Sequence, residues 1–311
     1  MPRQASRPDL SGLTELQYGL VRRDQVVGSM LTDAALRWKL EKGHWQAVLP
    51  SVYATHNGRL TPEERAFAGL LYAGEDSQLT GPVALHLHGF RSVPAHEHVH
   101  VLIPDHRRVA SARFAVVSRT GRLCAHAVTI GRMAVAGAAR AVADTARLGI
   151  GLREARALVA EAVQTGLAGV DAIATELREG PRRGSLRLRQ ALDEISAGVR
   201  SAPEAELREL CSRSSVLPPI AWHPRLIGPH GDRLPTPTAW IGDVAIALQI
   251  ESPEDWHMHL QQRQAFADLG AQTLRFAPDQ ISGDPAAVRS TIEHAYLDRA
   301  RRGVPQLIQP A

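Results

Sequence analysis

The chain has 311 residues, 44% hydrophobic and 22% charged, with a formal charge of +4 and a pI near 9.5. That length exceeds one ordinary core and predicts two or three domains, and the apolar-to-charged balance excludes long disorder. No apolar run is long enough to span a bilayer, the polar start MPRQASRPDLSG lacks a secretory core, and Cys124 and Cys211 show no disulfide pattern. A soluble cytoplasmic protein with no membrane partner is therefore expected. The net positive charge permits nucleic acid as a partner without requiring it.

In chain order, residues 1–10 read as a tail, and Ser11–Leu20 and Arg23–Gly28 as two helices. Leu13, Leu16, Leu20 and Val26 should face a third helix. That helix opens at Thr32, a good N-cap with Asp33 in the first turn, and stops at Gly43, suited to a left-handed cap. Two alternating runs, His44–Leu49 and Ser51–Ala54, meet at Pro50 and read as a hairpin. Helix, tight glycine and hairpin make the second half of a winged helix-turn-helix, assigned to residues 11–58. Its exposed face should carry Arg37, Lys39 and Lys42, with His44 and Gln46 on the wing. Lys39 and Lys42 are the only lysines in the chain, placed where phosphates of a duplex would lie. Leu36 and Leu40 read as partly core, and Trp38 as open to either role.

Residues 59–198 read as a middle α/β domain, a small sheet backed by helices. Thr61–Pro62–Glu63–Glu64 starts a helix running to about Ala73, with proline at the first helical position. Thr80–Gly89 gives a short helix, His98–Pro104 a strand pairing with Arg113–Val117, and helices follow over Ala138–Leu148, Leu152–Thr165, Val170–Glu179 and Ser185–Ile195. Residues 199–303 read as a separate α/β domain. Its elements are a helix at Pro203–Arg213, strands near Ile220–Leu226, Thr238–Trp240 and Asp243–Glu251, a helix at Trp256–Leu269, the strand Gln272–Phe276 and a helix at Pro285–Arg302. Residues 304–311 read as a second tail. The fold class expected is α+β and multidomain.

The head, with RRDQVVGSMLTDAALRWKLEKGHWQAVLPSVYA, is similar to the winged-helix domain of AbiEi-type antitoxins of type IV toxin–antitoxin systems. The middle block, with LTGPVALHLHGF and GAARAVADTAR, looks like the partner domain of their actinobacterial relatives. The tail, with RSAPEAELREL, PTPTAWIGDVAIALQIES and LGAQTLRFAPDQI, resembles a Vsr-like endonuclease module of the PD-(D/E)XK, restriction-endonuclease-like type. The resemblance spans roughly residues 11–300 and implies a DNA-binding regulator of antitoxin type with an inherited nuclease fold.

Such a nuclease gathers carboxylates around a divalent cation, because Mg²⁺ demands hard oxygen ligands. At the positions matching the family pattern stand Thr238, Gln249 and Glu251, with Glu204 on the leading helix. Two of the three strand acids are thus absent. Asp243 shares a strand face with Gln249 and Glu251, but eight extended residues place it about 26 Å from Glu251. No cleavage, metal or cofactor is expected.

His96, His98 and His100 alternate and would share one strand face, with His86, His88 and His106 nearby. Consecutive alternate strand positions converge poorly on tetrahedral zinc, so a solvated or hydrogen-bonded face is expected. Arg140 and Asp144 at i, i+4 read as a structural ion pair. Arg182, Arg183, Arg187 and Arg189 form a basic cluster that serves either phosphate contact or a solvated face. Trp256, His257 and His259 are expected to cover the old nuclease site.

The function expected is sequence-specific binding of double-stranded DNA by a transcriptional regulator or autoregulating antitoxin. The helix from Thr32 to Lys42 would enter the major groove, and the wing around Trp45–Pro50 would meet the backbone or minor groove. Arg37 is the candidate base contact, because its fork can bind guanine O6 and N7 together. Lys39, Lys42, Arg22 and Arg23 are candidates for phosphates, and Thr32, Trp38, His44, Trp45 and Gln46 complete the interface. A cognate toxin protein and a homodimer are the other expected partners. The alternatives are a Mg-dependent DNA endonuclease, or an antitoxin or scaffold acting by protein–protein contact.

Overall fold

A computed structural model describes residues 9–251, 264–303 and 308–310. The molecule is α+β, and its chain divides into two compact units, 1–197 and 198–311.

The first unit begins with α1 (Leu10–Leu16), capped by Asp9, whose carboxylate accepts from the Gly12 N–H at 2.7 Å. The expected Ser11–Leu20 helix stops early. Tyr18 and Gly19 both take positive φ (55° and 74°) and turn the chain into β1 (Leu20–Arg22). Leu16 is consequently 51% exposed rather than packed on the third helix. One turn of helix, α2 (Arg23–Val26), precedes α3 (Asp33–Glu41), where the Thr32 hydroxyl accepts from the Ala35 N–H at 3.1 Å. Then β2 (Gln46–Leu49) and β3 (Val52–Ala54) form a hairpin, and β1 pairs antiparallel with β3 to make a three-stranded sheet β1-β3-β2. Val21, Val26, Leu36 and Trp45 fill a small core between these helices and the sheet.

The sheet's other face does not end the unit. Leu20, Val48, Leu49, Val52 and Ala54 belong to one continuous core with α4 (Pro62–Ala73) and the elements beyond it. α4 carries a full capping box: the Thr61 hydroxyl accepts from the Glu64 N–H while the Glu64 carboxylate accepts from the Thr61 N–H. Gly69 lets this helix close on the next sheet, since a Cβ there would lie 2.8 Å from Val99 Cγ1. That sheet runs β6-β5-β4-β8-β7, from β4 (Gln78–Thr80), β5 (Val99–Pro104), β6 (Ala115–Thr120), β7 (Val128–Ile130) and β8 (Met133–Val135). β5 and β6 pair in parallel. α5 (Gly81–Leu87) follows β4, and α6 (Ala138–Arg147), α7 (Leu152–Gln164), α8 (Val170–Glu179) and α9 (Leu186–Ser196) complete the unit.

The HEHVH run departs from its expected form. β5 starts at Val99, so His96 and His98 precede the strand, and His96 packs tilted against His86 with ring centroids 5.1 Å apart. His88 Nε2 is 2.8 Å from the Ala136 carbonyl. Burial, with like charge from His98 and His96, holds the half-buried His100 imidazole below its ordinary pKa. Among the described residues no three His, Cys, Asp or Glu side chains are grouped to hold a metal ion.

In the second unit α10 (Ala202–Ser212) leads into a four-stranded sheet, β13-β12-β11-β9. Its strands are β9 (Ala221–Trp222), β11 (Ala239–Ile241), β12 (Ile246–Ile250) and β13 (Gln272–Phe276), while β10 (Leu226–Ile227) pairs with β14 (Gln309–Pro310). Only the β12–β13 pairing is parallel in the four-stranded sheet. Residues 264–268 are helical, and α11 (Pro278–Gly283) and α12 (Pro285–Arg302) close the unit. Alternation sorts the sheet's side chains into two cores. Ala239, Ile241, Ile246 and Leu248 pack with Leu207, Ile281 and Ile292, while Trp240 and Ala247 pack with Phe266. The Asp243–Glu251 strand is shorter than expected: Gly242–Val244 form a 3₁₀ turn, Ala245 takes φ 49°, and β12 begins at Ile246. Among the described residues no helix is long and apolar enough to cross a membrane.

Candidate nucleic-acid interface

The exposed side of α3 is set by which residues the small head core claims. Leu36 is buried, Lys39 and Leu40 are half-buried, and Arg37, Trp38, Glu41 and Lys42 face outward. Trp38 is 51% exposed and leans on His44, centroids 5.2 Å apart, so helix and hairpin share an aromatic ledge. The side chains of Arg37 and Lys42 form no ion pair or hydrogen bond among the described residues and are exposed beside this ledge.

Other expected interface residues are already occupied. Trp45 is 5% exposed and lies in the head core; sequence reasoning placed it on the surface because aromatic residues suit both roles. Lys39 Nζ sits over the Trp45 ring at 5.1 Å, so its stem packs the core. Arg22 chelates Asp24 through Nε (2.6 Å) and Nη2 (2.5 Å), and Arg23 pairs with Asp33. The hydrogen bond from Arg22 holds the Asp24 carboxyl below its ordinary range. A phosphate would compete with these aspartates for Arg22 and Arg23. Thr32 is spent on the cap, and Gln46 Nε2 donates to the Gly58 carbonyl at 2.6 Å.

One residue that sequence reasoning missed fixes the hairpin. The β2–β3 register shifts between Ala47 and Leu49, and the carbonyls of Ala47 and Val48 both receive Arg113 Nη1, at 2.5 and 2.8 Å. Arg113 itself takes a positive φ of 48°. It lies 66 and 65 positions from the two carbonyls it holds, so no local pattern could have announced it. Replacing Arg113 with alanine should leave the fold intact and speed amide hydrogen exchange selectively in residues 46–54. Unchanged exchange there would show that the hairpin holds itself.

The positions that the sequence resemblance singled out in the second unit come together through hydrogen bonds among themselves and with their neighbours. The Thr238 N–H donates to Gln249 Oε1 (3.2 Å), and the Ile250 N–H donates to the Thr238 hydroxyl (3.3 Å). Glu251 pairs with Arg275 at 3.4 Å. Glu204, 2% exposed, accepts from Arg208 Nη2 (2.7 Å), the Arg200 N–H (3.1 Å) and His223 Nε2 (2.9 Å). The His223 backbone N–H donates to the Thr238 carbonyl. Asp243 lies on the 3₁₀ turn and accepts from the Tyr296 hydroxyl at 3.0 Å. A neutral amide and a hydroxyl bonded to backbone, with the remaining acid facing an arginine, do not fit a Mg²⁺ ion. Trp256, His257 and His259 lie outside the described residues.

Burial pushes the Glu204 carboxyl up, yet hydrogen bonds from His223, Arg208 and the Arg200 N–H outweigh it and hold the group below its ordinary value. A depressed carboxyl stabilises the fold above its unfolded pKa, and that contribution is lost as pH falls through the folded value. The second unit should therefore melt earlier in acid, and Glu204→Gln should flatten that dependence in a pH series of thermal unfolding. An unaltered slope would remove Glu204 from the linkage.

No family model matches this chain, and no curated protein matches it. A crystal structure of the RV2827C protein from Mycobacterium tuberculosis aligns with 71% of this chain and 89% of its own length, at 19% identity and a TM-score of 0.41. That likeness leaves the argument to the residues themselves.

Proposed function

We propose that the chain is a sequence-specific double-stranded DNA-binding regulator of antitoxin type. In this reading residues 11–58 are a winged helix-turn-helix. Its α3 enters the major groove with Arg37 on a base edge and Lys42 on a phosphate, and the β2–β3 wing lies along the backbone. The observation that carries the reading is the ledge on α3: two unpaired cations beside an exposed tryptophan, on a helix braced by a three-stranded sheet. A cognate toxin is the protein partner an antitoxin answers to, and a symmetric operator would be met by a homodimer.

The second unit fits a restriction-endonuclease-like domain that does not cleave. A helix, antiparallel strands and a final parallel strand follow the order such a domain needs, and the acids its chemistry needs are replaced by Thr238 and Gln249. The test is a mobility shift with the chain's own upstream DNA and a scrambled duplex, at two salt concentrations, with Mg²⁺ in parallel lanes. The expected result is a salt-sensitive shift of the upstream duplex alone, with the DNA left intact. Equal binding of both duplexes would reduce the protein to a general DNA binder, and nicking would restore the nuclease.

A further inference from the structure

Away from α3, the first unit presents a second charged surface that the DNA reading does not use. Leu186, the first residue of α9, is 78% exposed, and Leu148, just past α6, is 49% exposed. The two turns carrying them are fastened together. Arg187 Nη1 donates to the Gly149 and Ile150 carbonyls at 3.1 and 2.5 Å, and Gly184 lies so close to Arg147 that a Cβ there would meet its carbonyl oxygen at 3.0 Å. The leucines thus sit on a fixed base.

The surroundings are basic. Arg182, Arg183 and Arg189 are exposed and form no ion pair among the described residues. Of the nearby acids, Glu154 accepts from the Gly151 N–H at 2.6 Å, Glu179 pairs with Arg122 at 2.9 Å, and the exposed Asp193 lies one turn beyond Arg189 on α9, away from Arg182 and Arg183 in sequence. Unpaired guanidinium groups around aliphatic side chains suit carboxylates with apolar neighbours, because arginine binds carboxylates in bidentate fashion and exposed leucine gains only from another apolar group. A duplex backbone offers phosphates to the arginines and nothing to the leucines.

We infer that the turn at residues 181–189, with Leu148 beside it, is a docking surface for an acidic amphipathic segment of a partner protein, whose carboxylates meet Arg182, Arg183 and Arg189 while an aliphatic side chain covers Leu186. The inference does not depend on DNA binding by α3.

The test is fluorescence anisotropy with the full-length protein and a labelled, helix-forming peptide of glutamates and leucines, the leucines spaced along one face. A second peptide replaces those leucines with serine, and an unlabelled random-sequence duplex serves as competitor. The leucine peptide should bind at least about tenfold more tightly than the serine peptide, the scale of one buried leucine. Leu186→Ser should erase that difference, and Arg183→Glu should weaken both peptides. These positions are exposed, so the variants should fold as the parent does. No binding, equal binding of the two peptides, or displacement by the duplex in a manner that Arg183→Glu abolishes would each overturn the inference. Self-association of the chain lost in Leu186→Ser would also overturn it, in favour of a second copy as occupant.

Discussion

Replacing Asp144 with alanine is expected to destabilise the first unit by roughly 3–5 kcal/mol, the cost of stranding a buried charge. Asp144 Oδ2 accepts from the Thr80 hydroxyl and from Arg140 Nε, both at 2.8 Å, and its Oδ1 accepts from Arg147 Nη1 at 2.8 Å. Arg140 is 7% exposed, so water cannot readily replace the lost partner. What would remain to it is Glu176 at 3.8 Å and the Arg122 carbonyl at 3.2 Å. The same carboxylate joins β4, through Thr80 at its end, to α6, so its loss should loosen the sheet as well as the helix. Urea unfolding of Asp144→Ala beside Asp144→Asn measures this, since the amide keeps a hydrogen-bonding oxygen and should cost less. A loss below about 1 kcal/mol would show that solvent reaches the network, as it does at surface pairs.

The second large effect concerns Arg37. Its alanine variant should lose about 1–3 kcal/mol of discrimination, or about 5- to 150-fold, between the preferred duplex and one altered at a single base pair. Lys42→Ala should instead weaken all duplexes alike and reduce the salt slope by about 0.9. The slope also reads the aspartate pairs. With Arg37 on a base edge, the phosphate contact of Lys42 alone gives a slope of about −0.9, whereas exchange of Asp24 and Asp33 for phosphates by Arg22 and Arg23 steepens it to about −2.7. A titration of affinity against salt with the parent and these variants separates the cases. Retention of full sequence preference by Arg37→Ala would move the base contact elsewhere.

Much of the fold was legible where local chemistry and period agree. Thr61, Pro62 and Glu64 announce α4, Thr32 and Gly43 bracket α3, and alternation around Ile246 and Leu248 marks β12. The three-residue strands β1, β4, β7 and β8 were not legible, being too short to show a period of two, whereas β3, equally short, was marked by the turn at Pro50. The i, i+4 spacing of Arg140 and Asp144 announced their pair, but Thr80 and Glu176 join it from distant segments. At the candidate interface the helix could be read and its charge state could not. That Asp24 and Asp33 neutralise two arginines, and that Trp45 belongs to the core, follow only from three-dimensional packing.

The most direct test of the central claim is dimethyl sulfate footprinting, which reads guanine N7 in the major groove, on the chain's upstream DNA with the parent protein and with Arg37→Ala. Insertion of α3 predicts protection of specific guanines by the parent and loss of that protection at one position in the variant. Guanines left fully reactive by the parent, or a pattern identical in the two proteins, would contradict it.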